Sequence, residues 1–161
     1  MATKTNAVRL VQQAGIPCRE AFYEFDEQDL SGVHAAQAIG MPEEQVFKTL
    51  VAREAAMDSA KKLKAENIVT EDGQRDLETQ IQKLTDKYVK EIDELVAVKE
   101  LLGLTGYIRG GCSPVGMKKH YPTFIDETCT LWDEIAVSAG ARGHQMIVPP
   151  QPLADLVGAE L

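Results

Sequence analysis

Apolar residues recur at helical spacing near the start of the chain. Val8, Leu10, Val11 and Ala14 share one side of a helix over residues 4–14, and Gly15 stops it before Ile16 and Pro17. The pattern then becomes partly alternating and aromatic through Ala21, Phe22, Tyr23, Glu24 and Phe25, which predicts a strand, and the polar residues 26–31 form a turn. Ser31 and Gly32 open a short helix that holds His34, Ala35, Ala36 and Ile39 and ends at Gly40. Pro42, Glu43 and Glu44 suit the first turn of another helix, where a missing N–H costs nothing and acidic groups meet the positive end of the helix dipole. Residues 46–51 then read as a strand on their β-branched and aromatic content, with Lys48 as the one charge.

Residues 55–95 break this rhythm. Charged residues dominate, Tyr88 is the only aromatic, Gly73 the only glycine, and proline is missing. Leu77, Ile81, Leu84, Tyr88, Ile92 and Leu95 recur every three or four positions, so they form one apolar stripe along a helix. A shorter helical stretch over 56–65 and a turn at Thr70, Glu71, Asp72 and Gly73 complete an antiparallel helical hairpin. Beyond residue 96 the earlier composition returns. Residues 98–102 fit a short helix or a strand, 106–116 a glycine-rich loop, and 123–126, 135–138 and 145–148 three short strands; a last helix over 152–157 stops at Gly158.

At 161 residues the chain suits one domain with one core. Its formal charge of -8 argues against gripping nucleic acid by bulk electrostatics, so such a partner must be held locally. Cys18, Cys112 and Cys129 are an odd number without zinc-type pairing, which points away from a disulfide framework or a structural metal. With no signal-like start and no run approaching the roughly 20 apolar residues of a membrane span, the expectation is a cytoplasmic protein.

Candidate chemistry gathers in two places. Gly106, Gly110, Gly111 and Gly116 offer backbone that a ligand can approach closely, with N–H groups suited to a developing oxyanion; tight turns would use the same residues. Lys48 either faces a polar cavity as a binding cation or turns outward from an edge strand. Cys112 is a candidate nucleophile for which none of His34, His120 and His144 is marked as the base. Lys118, Lys119 and His120, with Arg109 and Arg142, make a candidate phosphate-binding face or ordinary solvated surface.

The segments VFKTLV (46–51), LTGYIRGGCSPVGMKKHYPTFID (104–126), VSAGARG (137–143) and PPQPLADLVGAEL (149–161) closely resemble the YbaK family of Cys-tRNA(Pro) deacylases. That family is related to the editing domain inserted in bacterial prolyl-tRNA synthetases. The resemblance covers residues 1–53 and 96–161. It implies an α+β fold, a mixed β-barrel with surrounding helices, that removes a wrongly attached amino acid from tRNA by hydrolysis. The family's essential lysine falls on Lys48 and its glycine-loop donor on Gly110, which places both at the ester. Tyr23, Thr49, Gly111 and Ser138 fall around the substrate. No protein nucleophile, metal or cofactor is implied; the substrate's own thiol attacks its ester carbonyl, which demands positioning and oxyanion stabilisation above all. The implied partners are the acceptor end of a charged tRNA and prolyl-tRNA synthetase. Ser31 stands where relatives often carry an aromatic residue, which alters one pocket wall.

In the middle, AMDSAKKLKAENIVTEDG and IQKLTDKYVKEIDEL resemble the C-terminal helical part of ribosome recycling factor, where the deacylase family has strands and a helix. The chain therefore looks like a chimera: a single YbaK-like domain over 1–161 in which a foreign helical hairpin, 55–95, is inserted between barrel elements or replaces them. The first long helix and the second domain of the recycling factor are missing, so ribosome recycling is not expected. Two other readings stay open. One is a folded scaffold without activity that forms a homodimer through the apolar stripe; the other is a ribosome-binding helical module.

Overall fold

Thr5 starts the first helix, α1 (Asn6–Gln13), by accepting the Val8 N–H at its hydroxyl, 3.3 Å away. The stripe that follows buries Ala7, Val8 and Val11 completely. The computed structural model describes residues 4–51 and 96–161. The chain divides into two compact units, Met1–Thr49 with Val98–Leu161, and Leu50–Ala97. In the second unit the Val96 N–H donates to the Val51 carbonyl at 2.9 Å, joining the segments that lead into and out of residues 52–95. The helical hairpin expected over 55–95 lies outside the described residues, and the remaining description concerns the first unit.

Its strands are β1 (Arg19–Phe22), β2 (Val46–Phe47), β3 (Thr123–Phe124), β4 (Ile135–Ala141), β5 (His144–Val148) and β6 (Ala159–Glu160). A four-stranded mixed sheet runs β1-β5-β4-β2, with β5 antiparallel to both β1 and β4 and β2 parallel to β4; β3 and β6 form a separate parallel ladder. The helices after α1 are α2 (Gly32–Ile39), α3 (Val98–Thr105) and α4 (Pro150–Val157). Among the described residues the fold is thus mixed α+β, and no helix there is long and apolar enough to cross a membrane.

Alternation divides the sheet into two faces. Ile135, Val137 and Ala139 of β4 and Met146 and Val148 of β5 pack with Val8 and Val11 of α1 and Leu153 and Val157 of α4 into the core. The residues between them belong to the opposite face, and β4 from Ile135 to Ala139 is buried throughout. Burial on both faces explains why this strand reads as a nearly unbroken apolar run, without the polar alternation of a half-solvated strand.

The structure shifts several expected boundaries for local reasons. The strand expected over 46–51 ends at Phe47, because its partner β4 bulges just past Ser138, the next residue in register. At the bulge Gly140 has φ +95, and a Cβ there would lie 2.8 Å from the Tyr107 ring. The last helix begins two residues earlier than expected, since Pro150 sits in its first turn, where no N–H is needed. β6 follows directly on the left-handed Gly158, and Ile125 donates to the Glu160 carbonyl at 2.9 Å to extend the pairing. Residues 98–102, open to either reading, belong to α3.

Leu153 is fully buried among Val8, Val11 and Met146. Leu153→Ala is expected to lower stability by about 2–5 kcal/mol, read as a fall in the urea midpoint with an unchanged slope.

Candidate active site

The face of the sheet opposite the core supplies a polar floor. Ala21 pairs with Gln145 and Gln145 with Ser138, while Val46 pairs with Ala136. By the period of two, Tyr23, Gln145, Ser138 and Lys48 share that face. The start of α2, with Ser31, Gly32 and Ala35, and the glycine loop, with Gly110 and Cys112, lie over it. Together these elements line a small, solvent-open cleft, to which Leu30, Phe47 and Thr49 also contribute.

Of the residues singled out in the sequence, Tyr23, Lys48, Thr49, Gly110 and Ser138 all line this one cleft. Lys48 lies just past the end of β2 and its ammonium donates to the Leu30 carbonyl at 3.1 Å. Leu30 is fixed in turn by the cap that follows it. Ser31 Oγ accepts the His34 N–H at 3.1 Å, and the Ser31 N–H donates to Asp29 Oδ1 at 3.1 Å. That bonding from Ser31 holds the Asp29 carboxyl below its ordinary range. Ser31 therefore acts as a helix cap on the cleft wall.

Two adjacent glycines have different tasks. Gly110 has φ +83 and lies on the cleft, where a Cβ would come within 2.9 Å of the Leu30 side chain. Gly111 stands outside the lining: its N–H donates to the Ile108 carbonyl at 3.0 Å, and a Cβ would meet the Ala141 backbone at 3.0 Å. Gly111 thus seats the loop on the turn between β4 and β5. Arg142 in that turn donates to the Arg109 carbonyl at 2.9 Å and pairs with Glu27 at 3.0 Å. Among the described residues, the N–H groups of Gly110 and Cys112 have no acceptor.

The basic residues considered as one phosphate face are dispersed. Arg142 is committed to Arg109 and Glu27, and Lys118 donates to the Leu102 carbonyl at 3.2 Å near the end of α3. Lys119 and His120 line a different groove, beside Leu10 and Leu156. Cys112 has no histidine against it: His34 meets the edge of Tyr23, and His144 stacks on Phe22 with its Nε2 2.9 Å from Glu20. Burial pushes the Cys112 thiol above its ordinary value of 9.0, with a hydrogen bond from Thr105 offsetting part of the rise. A neutral, buried thiol is a poor nucleophile. Among the described residues no group of three or more His, Cys, Asp or Glu is placed to hold a metal ion.

Sequence reading missed two members of the site. Gln145 was legible only as the first residue of an expected strand, although its alternation with the residues of that strand assigns it to the cleft face. The Leu30 carbonyl carried no signal, because it acts through backbone.

The fold is shared with two solved structures. A protein described as a trans-editing enzyme for prolyl-tRNA synthetase has a TM-score of 0.60 at 20% identity, with 98% of this chain and 96% of that one covered. The hypothetical protein APE2540 has a TM-score of 0.65 at 17% identity, with 95% and 96% covered. Among curated proteins, EbsC of Enterococcus faecalis, provisionally named a Cys-tRNA(Pro)/Cys-tRNA(Cys) deacylase, is 34% identical over 157 residues, 98% of this chain and 90% of that protein. The chain belongs to this family of YbaK-like Cys-tRNA deacylases. Residues 41–102 also match the ribosome recycling factor family. The recycling factor of Akkermansia muciniphila is 70% identical over 80 residues, 50% of this chain but only 40% of that protein's length.

Because burial holds the Cys112 proton, its alkylation by iodoacetamide is expected to be slower at pH 7–8 than that of a free thiol and to rise with a midpoint above 9.0. Peptide mass spectrometry across a pH series reads this; a midpoint below 9.0 would restore Cys112 as a nucleophile.

Proposed function

We propose that the chain is an aminoacyl-tRNA editing hydrolase of the Cys-tRNA(Pro) type. One observation carries this reading: Tyr23, Lys48, Thr49, Gly110 and Ser138, far apart in sequence, line a single cleft. In the proposed reaction the substrate's own cysteine thiol loses its proton and attacks its ester carbonyl carbon. A carbon–sulfur bond forms, the ribose oxygen leaves with a proton, and water opens the resulting thiolactone to free cysteine.

The protein's part is positional and electrostatic. Charge builds on the carbonyl oxygen, which Lys48 and the free N–H of Gly110 are suited to meet. The bond from Lys48 to the Leu30 carbonyl sets the ammonium in place before substrate arrives, so little reorganisation is needed. Tyr23, Thr49 and Ser138 flank the amino acid. The Ser138 oxygen accepts the Gly140 N–H at 3.3 Å, so its hydroxyl hydrogen is left to donate.

In this reading residues 1–161 act as one domain, the four-stranded sheet is an arc of the family's barrel, and residues 55–95 form a foreign helical hairpin in place of family elements. Alignment of 98% of this chain with 90% of the EbsC protein supports replacement over addition. The acceptor end of a charged tRNA is the proposed partner, delivered alone or beside prolyl-tRNA synthetase. The 70% identity of half the chain to a recycling factor favours one rival, a chimeric scaffold without activity that self-associates.

Release of cysteine from Cys-tRNA(Pro) is expected for the wild type and is expected to fall by roughly 10²–10³ in Lys48→Ala, the loss typical of one oxyanion donor. Cysteine release that does not depend on Lys48, or none at all, removes the editing reading; a dimer in sedimentation would then support the scaffold.

A further inference from the structure

Gln145 is buried, with 7% of its surface exposed, and it lines the cleft. A carboxamide offers two N–H donors and an oxygen with two lone pairs. Here one contact is made: Nε2 donates to the Tyr23 hydroxyl at 3.5 Å, the outer limit of a hydrogen bond. Among the described residues nothing donates to its Oε1. Buried polar side chains are nearly always paired, so an amide left open on a cleft wall points to a ligand group that completes it.

The rest of the cleft shows which group that is. Lys48 brings an ammonium, Gly110 an N–H without an acceptor among the described residues, and Ser138 a hydroxyl whose oxygen accepts from Gly140 and whose hydrogen is left to donate. The Tyr23 oxygen is occupied by Gln145 itself, so its hydrogen too points elsewhere. The Leu30 carbonyl is taken by Lys48. The cleft is therefore rich in donors, which suits an ester carbonyl, and Gln145 Oε1 is a buried acceptor, without a donor among the described residues, that is open to a ligand that must also donate. On an aminoacyl ester that donor is the α-amino group.

We propose that Gln145 recognises the free α-amino group of the esterified amino acid, and that the site thereby rejects N-acylated substrates such as formylated or peptidyl esters. This rests on the editing reading for the identity of the ligand. Acylation leaves the nitrogen a single N–H and adds a planar group beside Ala35 and Val46, which also line the cleft. A neutral carboxamide suits this task because it accepts from an amine or an ammonium without a buried charge of its own to desolvate.

The test uses adenosine bearing cysteine through a non-hydrolysable 3′-amide, with its amino group free or N-acetylated, titrated calorimetrically against the full chain. Wild type is expected to bind the free amine roughly tenfold more tightly, the weight of one well-made hydrogen bond in a desolvated site. Gln145→Leu should lose that preference by weakening the free-amine ligand alone, and Gln145→Glu, which keeps the acceptor, should preserve it. Equal binding of the two ligands by wild type, no binding of either, or a preference that persists in Gln145→Leu overturns the proposal. The comparison within wild type and the Gln145→Glu variant keep the test decisive if the leucine variant does not fold. Hydrolysis of Cys-tRNA(Pro) is scored separately, so a protein that prefers the free amine yet releases no cysteine sinks the activity and not the recognition.

Discussion

The ladder between β4 and β5 is the constraint on which the site depends. Its register pairs Ser138 with Gln145 and Val137 with Met146, so one strand pair sends polar groups to the cleft and apolar groups to the core. A slip of one residue would exchange the two sets and ruin both faces at once. Burial of Val137, Met146 and Val148 under α1 and α4 therefore does more than stabilise the unit. It locks the register that presents the serine and the glutamine. The bulge after Ser138 adds a second effect: it ends the pairing with β2 and leaves Lys48 free of the ladder, able to turn its ammonium to the Leu30 carbonyl.

Leu30 links the two halves of the cleft. Its carbonyl holds Lys48, and its side chain occupies the space beside Gly110 that a Cβ would claim. The cation and the glycine loop thus share a backbone reference point, although more than sixty positions separate them in the chain. Preorganisation of this kind is what an ester cleavage without a protein nucleophile requires, since the protein can offer only geometry and field. The raised thiol of Cys112 agrees with that division of labour. It lies on the cleft wall as a small neutral group, as the proposed attack by the substrate's own sulfur requires.

Much of this was legible in the sequence, and the failures have local causes. α1, α2 and the core strands followed from apolar spacing and from helix ends such as Gly15, Ser31 and Gly40, because local chemistry and tertiary packing agree there. The strand around Lys48 was read too long, since β propensity cannot register a bulge in a partner ninety residues away. The site residues were found by resemblance; composition alone left Lys48 and the glycine loop open between a site and ordinary structure. Gly111 shows the limit of that route. A glycine beside the cleft is needed there for close packing on the Ala141 backbone, and a motif does not separate that need from ligand contact.

The charge of the chain bears on how such a cleft meets tRNA. Residues 55–95 carry seven Lys and Arg against ten Asp and Glu, so the recycling-factor-like segment is acidic, and so is the remainder of the chain, whose total stands at -8. Neither part carries the net positive charge that bulk phosphate binding favours. Two basic side chains near the glycine loop are also spent on structure, Arg142 on Glu27 and the Arg109 carbonyl, Lys118 on the Leu102 carbonyl. In the proposed reading, affinity comes from the reacting end itself, through an ester carbonyl at Lys48 and Gly110 and an amino group at Gln145. A site that works this way would read the attached amino acid first and the nucleic acid second, which is the order the proposed editing reaction requires.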